Sequence, residues 1–234
     1  EILHNIENAE FEITDIKTSE RIRKAPLPFT TSTLQQEAAK ALNFGTQKTM
    51  RIAQQLYEGI DIKGNGTVGV ITYLRTDSTR IADEADAAAR EYISSNYGKE
   101  YAAAKQKASG NGKKIQDAHE AIRPTDITRT PASLKESLTR DQFRLYQLIW
   151  KRFVASRMNP ARYEATSVKI GAGGYCFTVS ASKLLFDGFR SVYTEADEEK
   201  EESNVLVGNL SMESVLTKEE FDPKQHFTQP PAHY

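Results

Sequence analysis

Tyr73 and Arg75 lie two residues apart in the segment ITYLRTDST, at residues 71–79. The β-branched run before them predicts a short strand over residues 68–74, and side chains two apart on a strand point to the same side. A nearby cation lowers the pKa of a phenol and stabilises the charge that builds on a phosphate under attack. The pair could therefore transfer a phosphoryl group to a tyrosine. More often this spacing is a half-buried tyrosine beside a surface arginine, so it does not establish catalysis alone.

A second segment, DAHEAIRPT at residues 117–125, carries matching chemistry. His119 could donate to a phosphate oxygen and, as imidazolium, supply charge. Glu120 could orient a basic group, and Arg123 could hold a phosphate through two parallel hydrogen bonds. Pro124 predicts that a short helix ends just before it. Taken by itself, the segment is better interpreted as a capped helix end with solvated charges.

Helical periodicity covers much of residues 30–157. Ser32 and Gln35 resemble a capping box that opens a helix continuing to Gly45. A second helix places Met50, Ala53 and Tyr57 on one face and stops at Gly59. A third helix is predicted through Ile93, capped by Asp77 or Ser78. The clearest helix starts at Thr139 and closes at Pro160, with a stripe of large side chains that indicates a core face: Phe143, Tyr146, Ile149, Trp150, Phe153 and Arg157.

The predicted strands come before and after these helices. Phe11, Ile13 and Ile16 alternate with polar residues, and strand patterns return from Tyr163 in residues 165–170, 175–181 and 205–216, with turns at residues 171–174 and 187–188. Residues 105–114 are predicted to form a polar loop. This order predicts an α+β fold of more than one domain, in which a mostly helical domain, residues 30–157, is inserted into an antiparallel β domain formed by residues 1–29 and 158–234.

Composition narrows the function classes. The 234 residues include one cysteine, Cys176, which excludes an internal disulfide and a cysteine-based zinc site, and the four histidines lack the close spacing of metal ligands. The sequence contains no run of about 18 apolar residues, so it predicts no membrane-spanning helix. The net charge is −1, divided into −5 over residues 161–234 and +4 over residues 1–160. If the protein binds nucleic acid, the first part is therefore expected to make the phosphate contacts. The acidic run at residues 195–202 is predicted to be a solvated loop.

The blocks at residues 71–79 and 117–125 resemble signature segments of the type IA DNA topoisomerases. Residues 28–45, 147–163 and 226–234 are similar to further family segments, and all five occur in family order. Leu74 and the sequence HEAI at residues 119–122 are closer to the bacterial topoisomerase I branch than to the topoisomerase III branch. Reverse gyrase stays an open alternative.

The resemblance implies roles for individual residues. Tyr73 would attack a phosphodiester and form a 5′-phosphotyrosine, leaving a 3′ hydroxyl. Arg75 would contact the scissile phosphate, His119 would assist charge or proton handling, and Arg123 would contact phosphate. The DNA-binding residues are predicted to be Arg75, Ser78, His119, Arg123, Lys48 and Arg51.

The resemblance also implies partners and a cofactor. It predicts a central fragment of a larger enzyme, with its strand domain forming a β arch, that relaxes negative supercoils without ATP. The family's magnesium site, an Asp-x-Asp pair with a glutamate, belongs to a separate N-terminal domain, and no Asp-x-Asp occurs here. We therefore expect Mg²⁺ in the complete enzyme and no metal ligand in this chain. DNA, preferentially single-stranded, is the expected partner, at the bacterial chromosome in the cytoplasm, with no membrane and no required oligomer.

Two other functions stay open from the sequence. A tyrosine recombinase or a type IB topoisomerase also uses tyrosine, arginine and histidine on DNA. In those enzymes the tyrosine follows its partners, whereas Tyr73 precedes His119 and Arg123. A non-catalytic DNA-binding module is the second alternative, and for the chain alone we expect weak DNA binding without relaxation.

Overall fold

The computed structural model describes residues 2–104, 119–194 and 210–217, together with residues 220, 222, 227 and 228. Its helices are α1 (Ile2–Ile6), α2 (Thr31–Leu42), α3 (Thr46–Glu58), α4 (Asp83–Asn96) and α5 (Arg140–Ser156). Its strands are β1 (Glu12–Arg23), β2 (Ile60–Ile62), β3 (Gly66–Val68), β4 (Ala161–Ala172) and β5 (Tyr175–Phe186). Short 3₁₀ turns occur at Lys99–Tyr101 and Gly188–Ser191. The mixture of helices and antiparallel strands confirms the predicted α+β class.

The longest strands form one sheet in the order β1-β4-β5. The alternation seen around Ile13 does lie in a strand, β1, with Ile13 buried between exposed neighbours. Gly173 and Gly174 connect β4 to β5 with φ values of +55° and +83°. Two consecutive residues with positive φ are what a type I′ hairpin turn needs, and glycine adopts them without strain. The strands predicted at residues 165–170 and 175–181, and the turn between them, are therefore confirmed.

The chain divides into two compact units. One contains residues 1–19, 164–183 and 204–234, and its described part buries Ile6, Ile13, Val168 and Ala172. The other contains residues 20–163 and 184–203, and includes α2 to α5 together with the β2–β3 hairpin. The predicted domain boundaries at residues 29/30 and 157/158 stay a prediction.

Helix α5 is the centre of the larger core. Thr139 caps it, with the Thr139 hydroxyl accepting from the Gln142 N–H and the Gln142 side chain accepting from the Thr139 N–H. The predicted stripe is buried at Tyr146, Ile149, Trp150 and Phe153, where α5 packs against α2 and α3. Two polar atoms on this face have partners: the Trp150 indole N–H donates to the Ile127 carbonyl over 3.0 Å, and the Tyr146 hydroxyl donates to the Arg129 carbonyl over 2.6 Å. Burial raises the pKa of Tyr146, so this phenol stays neutral.

Two details of α2 and α3 differ from the prediction. The cap of α2 is Thr30 paired with Thr33, two residues before the predicted Ser32–Gln35 box, because the helix itself starts at Thr31. Helix α3 ends at Gly59 as predicted. Its buried face is rotated from the predicted one and consists of Thr49, Ile52, Ala53 and Leu56, with Tyr57 left 39% exposed.

The predicted start of α4 is wrong. The helix begins at Asp83, and its N-cap is Ala82 rather than Asp77 or Ser78. The Thr76 hydroxyl accepts from the Ser78 N–H, and the Ser78 hydroxyl accepts from the Arg80 N–H. Such local hydrogen bonds offer the backbone an alternative to helix, and here they hold residues 76–80 in turns.

Two predictions near the tyrosine are also wrong. The regular strand ends at Val68, where β3 completes a hairpin with β2, and the following residues make one isolated bridge, Ile71 to Pro124, before the backbone bends at Leu74 and Arg75. No helix precedes Pro124 within residues 119–123; instead Ile122 bridges Phe29, with its N–H donating to the Phe29 carbonyl over 2.8 Å. Non-local bridges thus replace both locally predicted elements.

Several predicted features fall outside the described residues. These are the polar loop at residues 105–114, the acidic run at 195–202 and the first part of the strand predicted at residues 205–216. The described remainder of that strand, residues 210–216, forms a turn and irregular backbone, so the strand prediction is wrong there. Among the residues the structure describes, no helix is both long enough and apolar enough to cross a bilayer.

Candidate active site

Tyr73 lies on a segment whose exposure alternates. Leu74 and Thr76 are buried, at 1% and 7%, while Tyr73 is 41% exposed and Arg75 and Asp77 are also exposed. The backbone here is not a regular strand, because it bends at Leu74 and Arg75 after the isolated bridge at Ile71. Tyr73 and Arg75 are therefore both exposed, but the extended backbone from which their shared side was predicted does not continue through Arg75.

Thr72 joins this segment to the second sequence block. The Thr72 N–H donates to the Arg123 carbonyl over 2.9 Å, and the Thr72 hydroxyl donates to the Ala121 carbonyl over 2.7 Å. The same hydroxyl accepts from the Arg123 N–H over 3.0 Å. The Thr72 side chain thus holds its own segment to residues that lie 49 and 51 positions further along the sequence.

The consequence is that His119 lies beside Tyr73. Their ring centroids are 5.8 Å apart with an interplanar angle of 31°. His119 is exposed and makes no hydrogen bond within the described part of the chain, so its nitrogens are available to a ligand. The structure therefore brings together the two ring side chains that the resemblance assigned to catalysis.

Tyr57 is a neighbour of this pair that the sequence reasoning did not assign to the site. Its ring meets the Tyr73 ring edge to face, with centroids 5.5 Å apart. It was missed because helical periodicity placed it on the buried face of α3. Gly69 allows the close approach, since a Cβ atom there would lie 2.5 Å from the Tyr57 carbonyl oxygen.

Arg75 and Arg123 differ in how their guanidinium groups are used. Arg75 is exposed and forms no hydrogen bond or ion pair with any residue that the structure describes. Arg123 donates through Nε to Glu120 over 2.8 Å and through Nη1 to the Pro124 carbonyl over 2.9 Å, while its Nη2 lies 2.7 Å from the same carboxylate. Both side chains of this ion pair are largely buried. Glu120 thus orients a basic group, and the second N–H of Nη1 and of Nη2 remains for a phosphate contact.

The remaining predicted DNA contacts are placed as follows. Ser78 is 6% exposed, with its hydroxyl bonded to the Arg80 N–H. Lys48 pairs with Asp141 over 2.7 Å, and this hydrogen bond lowers the pKa of Asp141. Arg51 is exposed on α3 and lies six residues, about 9 Å of helix rise, before Tyr57. Their roles in DNA binding stay predictions.

The described residues do not form a magnesium site. No group of three or more His, Cys, Asp or Glu side chains among them is arranged to hold a metal ion. The described part of the chain therefore does not fit Mg²⁺, and the expected location of its ligands in another domain stays a prediction.

Comparison with known proteins identifies the family of the chain. The DNA topoisomerase family model matches residues 1–234, so the chain belongs to the DNA topoisomerase family. It is similar to the structure of full-length topoisomerase I from Thermotoga maritima, with 42% sequence identity and a TM-score of 0.72 over 83% of this chain. The resemblance to bacterial type IA topoisomerase I is thereby confirmed. The chain spans 31% of the length of the Thermotoga protein.

Proposed function

We propose that this chain is the part of a type IA DNA topoisomerase that cleaves one DNA strand through Tyr73 and relaxes negative supercoils by strand passage without ATP. The observation that carries the proposal is the solvent-facing phenol of Tyr73, in ring contact with His119 and two residues from Arg75, whose guanidinium has no partner among the described residues. Family membership supports a topoisomerase, and the geometry supports Tyr73 as the residue that acts.

The reaction exchanges one phosphate ester for another. The phenolic oxygen forms a bond to phosphorus, and the bond from phosphorus to the 3′ oxygen breaks. The phenol loses its proton and the departing 3′ oxygen gains one, so the products are a 5′-phosphotyrosine and a 3′ hydroxyl. Because an ester is conserved, resealing is the reverse step and needs no nucleotide hydrolysis. Supercoiling strain then drives net relaxation.

Arg75 and His119 have distinct roles in this proposal. Arg75 is exposed two residues from Tyr73 and stabilises the negative charge that builds on the phosphate oxygens. His119 lies close enough to donate to a phosphate oxygen, or to carry a proton between the phenol and the departing oxygen. Arg123 has a secondary role, because its ion pair with Glu120 and its bond to the Pro124 carbonyl already engage part of its guanidinium.

The same proposal covers the partner and the isolated chain. DNA, preferentially single-stranded, is the substrate that the family resemblance implies, and the exposed phenol of Tyr73 is accessible to its phosphate. The complete enzyme uses Mg²⁺ held by other parts of the protein. Alone, this chain binds DNA weakly and in a salt-sensitive way, and does not relax plasmid.

The test uses the complete enzyme with single-stranded DNA labelled at either end. Tyr73→Phe removes the nucleophilic oxygen and keeps the ring contacts, so the covalent adduct should disappear while DNA binding persists. Arg75→Ala should slow adduct formation by roughly 10²–10³-fold. The label should show protein on the 5′ phosphate. Protein on the 3′ phosphate would favour a recombinase or type IB mechanism instead, and an adduct surviving in Tyr73→Phe would refute the assignment.

A further inference from the structure

Thr31, the first residue of α2, touches the backbone on both sides of Arg75. The Thr31 hydroxyl donates to the Leu74 carbonyl over 2.7 Å and lies 3.1 Å from the Thr76 carbonyl. It also accepts from the Thr76 N–H over 2.9 Å. The Thr31 N–H donates to the Thr76 carbonyl, again over 2.9 Å. One residue therefore binds the peptide groups before and after Arg75.

These contacts are not needed to cap the helix. Thr30 and Thr33 already form the capping box of α2, in which each side chain accepts from the other residue's N–H. A hydroxyl at the first helical position usually faces solvent or the helix's own backbone. Here it reaches residues 43 and 45 positions away in sequence. The role of the Thr31 hydroxyl therefore concerns residues 74–76, whose backbone it binds.

The Thr31 hydroxyl fixes which of residues 74–76 are buried and which is exposed. Leu74 and Thr76 are buried on either side of Arg75, so fixing their peptide groups keeps the Arg75 side chain on the exposed surface. Arg75 has no side-chain partner among the described residues that could orient it instead. The orientation of the Arg75 guanidinium therefore depends on the backbone of residues 74–76.

We propose that Thr31 is a positioning residue for the cleavage reaction, acting through Arg75 by holding the peptide groups of Leu74 and Thr76. The proposal rests on the proposed function, in which Arg75 contacts the scissile phosphate. Thr31 touches neither Tyr73 nor DNA in this scheme. Without its hydroxyl, residues 74–76 lose two hydrogen bonds, and Arg75 samples orientations that do not reach the phosphate.

The experiment measures single-turnover formation of the covalent adduct in the complete enzyme, with DNA binding and thermal midpoint measured beside it. Thr31→Val removes the hydroxyl and keeps the shape, and should slow adduct formation on the order of 10-fold, below the 10²-fold that a misplacement of about 1 Å can cost. Thr31→Ser keeps the hydroxyl and should restore the rate. The matched control, Thr33→Val, removes a hydroxyl from the same helix turn without touching residues 74–76, and should leave the rate unchanged.

The decisive variant combines Thr31→Val with Arg75→Ala. If Thr31 acts through Arg75, the double variant should be no slower than Arg75→Ala alone, within about twofold. Additive losses, a Thr31→Ser variant as slow as Thr31→Val, or an equal loss in Thr33→Val would each overturn the positioning role. Tyr73→Phe separates this outcome from failure of the function: if that variant still forms an adduct, the proposed reaction is wrong whatever Thr31 does.

Discussion

Replacing Thr72 by valine tests whether one hydroxyl holds the two halves of the site together. Valine keeps the branched shape of threonine but can neither donate to the Ala121 carbonyl nor accept from the Arg123 N–H. The backbone bond from the Thr72 N–H to the Arg123 carbonyl stays. The change therefore removes two hydrogen bonds between the segment of Tyr73 and the segment of His119, and little else.

The size of the effect follows from those two bonds. A hydrogen bond in a protein contributes about 0.5–1.5 kcal/mol net, so losing both should lower the free energy of unfolding by about 1–3 kcal/mol. For a chain of this length each kcal/mol lowers the thermal midpoint by about 2–4 °C, which gives a decrease of about 2–12 °C. Adduct formation should slow as well, because His119 is no longer held beside Tyr73.

The assay is thermal unfolding of this chain, followed by single-turnover adduct formation in the complete enzyme. Thr67→Val is the matched control, since the Thr67 hydroxyl donates to Asp61 on an exposed hairpin, where its loss should change the free energy of unfolding by less than about 0.5 kcal/mol. Thr72→Ser should retain most of the stability and the rate. If Thr72→Val resembled Thr67→Val in both measurements, the inference that this hydroxyl joins the two segments would be refuted.

Two further predictions concern the surroundings of the site. Tyr57→Phe should keep the ring contact with Tyr73 and the rate of adduct formation. Tyr57→Ala should lose about 0.5–1.5 kcal/mol of aromatic interaction and slow adduct formation. Equal rates in both variants would show that the Tyr57 ring does not position Tyr73. Burial opposes ionisation of Asp86, but hydrogen bonds and charge from Arg90 and Arg157 outweigh it and lower the Asp86 pKa from 3.8. Its contribution to stability is therefore complete above pH 3.8 and is lost as the pH falls through the lower folded value. Asp86→Asn should be less stable than the unchanged chain at pH 7, with the difference shrinking toward pH 2 in thermal unfolding scans; a difference independent of pH would contradict this.

Local patterns predicted the elements whose determinants are local. The capping box at Thr139 and Gln142 and the apolar stripe that follows fix α5, and the two glycines at the β4–β5 turn fix that hairpin. Local patterns failed where hydroxyl and carbonyl groups bond to distant backbone. The start of α4 and the path of residues 119–123 depend on turns at residues 76–80 and on the bridge to Phe29, which no spacing within either segment encodes.

The same difference between local and long-range determinants applies to the residues of the site. The spacing of Tyr73 and Arg75 agrees with the exposure of both side chains, but the bend at Leu74 and Arg75 was not predicted. The contact between Tyr73 and His119 joins residues 46 positions apart, and family resemblance indicated it where spacing could not. Tyr57 and Thr31 were not found, because each reaches the site from a helix whose own periodicity says nothing about its neighbours.

The glycine at position 69 has a mechanical consequence. Because a Cβ atom at this position would lie only 2.5 Å from the Tyr57 carbonyl oxygen, the last turn of α3 and the segment leading to Tyr73 meet main chain to main chain, and the Val70 N–H donates to the Leu56 carbonyl beside that contact over 2.8 Å. A shift of α3 along its axis would therefore move the backbone that leads to Tyr73 with it.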